Sequence, residues 1–187
     1  MDWTADAERG LTFIVYELAG DPTYDVIQSF FLSPGALYVL VVNLSAYVPQ
    51  HFYPSVGYFL HWLGSKVPHA VVCMVGTHAD LCAERELEEK CLDIHHQIAQ
   101  QEKRDAEGLR CSSPHTAFYG VSDKNLRRKK AQFQYLLNHR PQILSPVLPF
   151  SCWDHCQVRR LRDKLLSVAE HRDIFPNLHR VLPKSWQ

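Results

Sequence analysis

The feature that most constrains the fold is the run "ALYVLVVNLS" (36–45), which stays apolar for most of its length and is bounded by turn residues. With so little polar alternation it suits a parallel strand covered on both faces. "AVVCMVGT" (70–77) and "LTFIVYELAG" (11–20) are two further strand candidates of the same kind. Helical spacing fills the gaps. Tyr24, Ile27, Phe30 and Phe31 follow Pro22, and Phe52, Val56, Phe59 and Leu63 follow Pro49. In "ERELEEKCLDIHHQIAQQEKR", Leu87, Cys91, Ile94 and Ile98 form one stripe, with acids in the first turn and Lys103 and Arg104 in the last, as the helix dipole favours. This alternation predicts an α/β fold, a mostly parallel sheet with flanking helices.

The second half is less regular. It predicts a strand at 115–122, a basic helix at 125–139, a strand at 143–152 broken by two prolines, and a helix at 157–171 with Val158, Leu161, Leu165 and Val168 on one face. The domain is expected over 11–171, and the proline-containing tail 172–187 reads as a linker.

Composition narrows the class. A chain of 187 residues with 46% hydrophobic residues can fill one core. Lys plus Arg equals Asp plus Glu at 20 each, which gives no global field to draw the chain onto nucleic acid or an anionic membrane. "MDWTADAERG" lacks the features of a signal peptide, and no apolar run reaches membrane-span length, so the expectation is a soluble cytoplasmic protein with its six cysteines reduced.

Ligands of open α/β sheets bind past the carboxyl ends of strands. Two such ends carry chemistry here. "GTHAD" (76–80) sets Asp80 at a strand-to-helix junction, where a carboxylate can accept from N1–H and the 2-amino group of guanine. Adenine has an acceptor at that ring nitrogen and would leave the carboxylate unpaired. The competing reading makes Asp80 only a cap for a helix starting near Ala83. "ELAG" (17–20) places an acid and a glycine after a strand: Gly20 lets a backbone amide approach a terminal phosphate, and Glu17 can reach a magnesium-bound water.

In order and spacing these motifs, with "FFLSPGALYVLVVNLS", "VPHAVVCMVGTHADLC" and "NLHRVLPKSW", resemble the Roc domain of ROCO proteins, a branch of the Ras-like GTPases. The resemblance covers almost the whole chain. It implies GTP or GDP with Mg2+ as ligands, Thr77 steadying the base loop, His78 lying over the purine, Asp80 reading guanine, Gly20 meeting the γ-phosphate and Glu17 facing magnesium. It places the last guanine loop at Ser151 and Cys152, with "GVSDKN" (Val121 to Asn125) as the competing position. Leucine-rich repeats before this region and a COR domain after it would be the neighbours in a full-length relative.

Departures from that pattern bear on function. No G-x-x-x-x-G-K-[ST] occurs, so the first strand, P-loop and switch I of the Ras-like fold have no counterpart in these residues. Without about five charge-assisted hydrogen bonds at roughly 1.5 kcal/mol each, affinity drops by about five powers of ten. Glu17 stands where Asp is usual, and Asp21 stands where many GTPases carry the glutamine that orients water. The absent strand would lie between 11–17 and 36–44, so those two must pair directly or leave backbone groups unmet. The reading is a GTP-binding signalling domain with impaired nucleotide binding and no assigned catalytic residue. The alternatives are a non-catalytic interaction module or an unrelated α/β protein in which Asp80 is a cap.

Other clusters carry less. Cys152, His155 and Cys156, and the pair Cys91 and His95, match no zinc-finger spacing. Cys73, inside an apolar strand, is expected to be inert. Arg127, Arg128, Lys129 and Lys130, with Arg159, Arg160 and Arg162, read as solvated helix faces, and the four tryptophans as packing residues, Trp186 against a following domain.

Overall fold

In the computed structural model, residues 2–6, 11–111, 123–144, 146–176 and 178 are described. The expected strand at 115–122, the Val121–Ser122 part of the competing guanine loop, and Trp186 lie outside them.

Strand β1 (Asp2–Asp6) pairs antiparallel with β2 (Leu11–Ile14) as a separate hairpin. The main sheet contains β3 (Leu37–Asn43), β4 (Val71–Thr77), β5 (Gln142–Ile143) and β6 (Leu148–Pro149), all parallel. β4 is central. It pairs with β3 on one side, and on the other with β5 at its start and β6 at its end. The expected 143–152 strand is two short pieces, with Pro146, which cannot donate to the ladder, between them and Pro149 inside β6. The helices are α1 (Asp25–Gln28), α2 (Tyr58–Lys66), α3 (Glu84–Cys111), α4 (Asp123–Asn138) and α5 (His155–Ala169).

β4 is buried along nearly its whole length, as an apolar strand between two helical layers should be. Val72, Met74, Leu44, Val56 and Ile94 are fully enclosed, and Leu87, Cys91 and Ile98 of the α3 stripe pack on that cluster. Phe52, Val56 and Leu63 are buried too, but through a π turn (Tyr53–Gly57) ahead of α2. Pro54, which cannot donate within a helix, lies in that turn.

Several expectations are corrected. The third strand ends at Ile14, not Gly20, and it pairs with β1, a strand not expected from the sequence; it does not pair with β3. β3 is not covered on both faces: Val39 and Val41 are 43% and 58% exposed. The helix after Pro22 is a four-residue turn between two 3-10 pieces, with Tyr24, Ile27, Phe30 and Phe31 all exposed. On α5, Val158 is exposed while Leu166 and Ala169 join Val168 inside. No described helix is long and apolar enough to cross a membrane.

Candidate functional site

β3, β4 and β6 end together. Asn43 lies opposite Thr77 and Gly76 opposite Pro149, so three loops leave the sheet side by side. Backbone bonds lace them. Leu44 N–H donates to Thr77 O at 3.0 Å, Phe150 N–H to Gly76 O at 2.7 Å, and Ala79 N–H to Phe150 O at 3.2 Å. The last bond joins the Thr77–Asp80 loop to the Ser151 loop, although they lie far apart in sequence.

Each loop is held locally. Asn43 Oδ1 accepts from Ser45 N–H at 3.0 Å and from Ser45 Oγ at 2.7 Å, an Asx turn. Lys90 of α3 donates to Leu44 O at 2.7 Å and pairs with Glu86 at 2.7 Å. His78 has a left-handed backbone, φ 58°, which turns the chain out of β4 and leaves its ring exposed, Nδ1 3.2 Å from Thr77 Oγ1. Asp80 follows in the 3-10 turn Ala79–Leu81 and is exposed. Its carboxylate has no hydrogen bond among the described residues. At the start of α3 it is the Glu86 carboxylate that accepts from Ala83 N–H; with Lys90, the larger influence, this holds the Glu86 carboxyl below its ordinary range.

Ser151 is buried at 3% exposure. Its N–H donates to Gln157 Oε1 at 2.7 Å and its Oγ accepts from Trp153 N–H at 3.2 Å. Asp154 caps α5 by accepting from Cys156 N–H at 2.8 Å and Gln157 N–H at 3.4 Å. Cys152 is exposed beside it.

Thr77, His78, Asp80, Ser151 and Cys152 therefore come from two joined loops at one sheet end. Gly20 and Glu17 are elsewhere. Gly20 borders a cavity beside Tyr38–Val41, short of the carboxyl end of β3, and Glu17 is exposed in the segment before it. Asp21 caps a 3-10 turn: bonds from the Thr23 hydroxyl and N–H hold its carboxyl below the usual range. Asn43 and Gln157 were not anticipated: the Asx turn of Asn43 onto Ser45 is local and could have been read from "NLS", whereas Gln157 meets Ser151 N–H only once the loop folds back onto α5. Thr77, His78, Asp80 and Ser151 line none of the cavities along α2–α3 and β3; His78 and Asp80 are exposed, while Ser151 is buried. Among the described residues no three His, Cys, Asp or Glu side chains converge as a metal site, and Cys73, Cys82, Cys91, Cys152 and Cys156 are free thiols.

Comparison with known proteins adds a relationship. Over 99% of its length the chain is 72% identical to part of human malignant fibrous histiocytoma-amplified sequence 1. The Xenopus tropicalis homolog is 70% identical over the full chain. The chain spans about a fifth of the length of these relatives. The human alignment runs over 202 residues against 187 in the chain, so that relative carries residues within the matched region that this chain lacks. A Dictyostelium discoideum protein, probable serine/threonine-protein kinase roco5, is 29% identical over 82 residues, covering 42% of the chain and 3% of that protein. No family model matches the chain. No solved structure matches it.

Proposed function

We propose that this chain is a Roc-type signalling domain that reads guanine through Asp80 and lacks the means to grip a triphosphate. One observation carries the reading: the bond from Ala79 N–H to Phe150 O sets Asp80 and the Ser151–Cys152 loop at a single sheet end. An exposed carboxylate there can accept two donors from one edge of a purine, with His78 beside it to cover the ring. The placement of Ser151 in the joined loop supports it over Ser122 as the last guanine loop. The similarity to roco5 supports the family assignment.

GTP, GDP and Mg2+ would be bound poorly, since Gly20 and Glu17 stand away from this loop and no P-loop supplies donors. Hydrolysis is not expected.

The test is Asp80→Asn in the purified chain, followed by NMR titration with guanosine and adenosine. Guanosine should shift signals of the 77–80 and 150–153 loops in the parent and lose its preference over adenosine in the variant, with stability changed by less than about 0.5 kcal/mol. A stability loss of about 1 kcal/mol with unchanged nucleoside response would mark Asp80 as a structural cap.

A second reading, a protein-interaction module, is favoured by one specific feature. The same surface is open and presents Trp153, 88% exposed, and Leu81, 66% exposed. Trp153→Ala would weaken a protein partner in this reading and leave nucleoside binding unchanged.

A further inference from the structure

His69 and His139 come together at the amino end of the sheet, one just ahead of β4 and the other between α4 and β5. Their ring centroids are 5.0 Å apart and their planes are tilted by 44°. The backbone holds both residues in place. His69 N–H donates to His139 O at 3.2 Å, and Gln142 N–H donates to Ala70 O at 2.8 Å where β5 begins to pair with β4. The His139 ring is fixed further: its Nδ1 lies 2.7 Å from Tyr135 O, and Tyr135 stacks on it at 4.0 Å. A carbonyl oxygen only accepts, so Nδ1 carries the proton and Nε2 keeps its lone pair. His69 is exposed and His139 half-buried, so an ion can reach the pair from solvent.

We propose that His69 and His139 form a two-imidazole site for a divalent transition metal ion of the Zn2+ class, which clasps the turn entering β4 to the end of α4. Two imidazoles bound tetrahedrally to one Zn2+, each through a nitrogen roughly 2.0–2.1 Å from it, place their ring centroids about 5 Å apart. That is the spacing of this pair. Parallel stacked rings keep their lone pairs in planes that never meet, whereas planes tilted by 44° converge. The bond from Nδ1–H to a main-chain oxygen is the outer contact that metal-bound histidines make. Arg140, the neighbouring cation, is turned elsewhere: its Nη2 donates to Glu102 O at 3.0 Å and to Asp105 Oδ2 at 3.3 Å. Among the described residues no carboxylate or thiol completes the set, so water fills the remaining positions. Imidazole nitrogen suits Zn2+, Cu2+ and Ni2+, while Mg2+ and Ca2+ require oxygen ligands that this pair does not offer. The backbone bonds hold both ligands together before the ion arrives, so binding orders little that is not already ordered. The seven-residue length of β4 separates this site from the base-reading loop, and the two stand or fall independently.

A Zn2+ titration of the chelator-treated chain, followed by long-range proton–nitrogen NMR of the imidazoles, tests this. The rings of His69 and His139 should respond together and ahead of the other histidines, with His139 Nε2 taking the metal shift while Nδ1 stays protonated. Mg2+ and Ca2+ should leave both rings unmoved. Exchange of the His69 and Gln142 amides, which bridge the two segments, should slow when Zn2+ is added. His69→Asn, whose new side chain tolerates the left-handed φ of 57° at this position, and His139→Asn should each weaken Zn2+ at the remaining ring at least tenfold. His96→Asn, on the exposed face of α3, should leave the pair unchanged. Circular dichroism confirms that each variant is folded, and the parent titration decides alone where one is not. The proposal is overturned if the two rings respond at different Zn2+ concentrations or no earlier than His96, or if His139 binds through Nδ1. It is equally overturned if either asparagine variant of the pair binds as tightly as the parent, or if Zn2+ leaves the exchange of the two amides unchanged.

Discussion

Gly76, the last buried residue of β4, shows how little room the site's foundation has. A Cβ built there would collide with Leu44 Cδ1 and stand 3.0 Å from Val147 Cγ1. Leu44 and Val147 are themselves buried, so neither side chain has space to yield. Gly76→Ala is therefore expected to cost about 2–3 kcal/mol by overpacking and to lower Tm by about 5–10 °C, measured by urea and thermal unfolding. An unchanged Tm would mean that the β3–β4 end is looser than the contacts indicate. The apolar run announced a strand ending here, but the close approach was not legible, since Leu44 and Val147 meet Gly76 only through the sheet. The place of Asp80 was legible, since a strand end followed by an acid is visible in the letters; that its carboxylate makes no capping bond among the described residues needed the coordinates.

Elements differ in how far local sequence decides them. β4 and the buried stripe of α3 match their expected spans because one periodicity, over many residues, agrees with the packing. β1 was missed: "DWTAD" alternates Trp3 and Ala5 with polar residues, but over only five residues and with no β-branched aliphatic residue, and the strand gains its partner only from β2. The short turn around α1 carries an apolar period but no covering layer, so its aromatics stay in solvent. α3 is tied to the loop after β3 by Tyr47, whose buried hydroxyl donates to Asp93 Oδ2 at 2.6 Å. Burial first, then the bond and the Asp93 charge, hold that phenol protonated far above its ordinary range. The folded state thus keeps a proton that the unfolded chain releases near pH ~10, so the stability is fully present below that pH and falls as pH rises above it. Tyr47→Phe should cost about 1.5–2 kcal/mol at neutral pH and flatten part of the alkaline decline, read from urea unfolding at stepped pH. A variant as stable as the parent would show that the bond to Asp93 contributes little.

At the scale of the whole molecule the sheet carries one complete feature and one incomplete one. Its carboxyl end gathers Thr77, His78, Asp80, Ser151 and Cys152 on joined loops, while among the described residues no strand pairs with the outer side of β3, and Gly20 borders the cavity beside that strand, away from the loops. From the sequence, 11–17 and 36–44 had to pair directly or leave backbone groups unmet; in the fold they do not pair, and β2 pairs with β1 instead. Which course prevails depends on competition between distant segments, which no local pattern reports. The central claim is a base-reading loop separated from any phosphate grip. Isothermal titration of the chain with guanosine, GTP and adenosine, each with and without Mg2+, tests it most directly. The account predicts guanosine and GTP bound alike, at millimolar strength or about −4 kcal/mol, ahead of adenosine and indifferent to Mg2+. Micromolar GTP binding that disappears when Mg2+ is removed would contradict it.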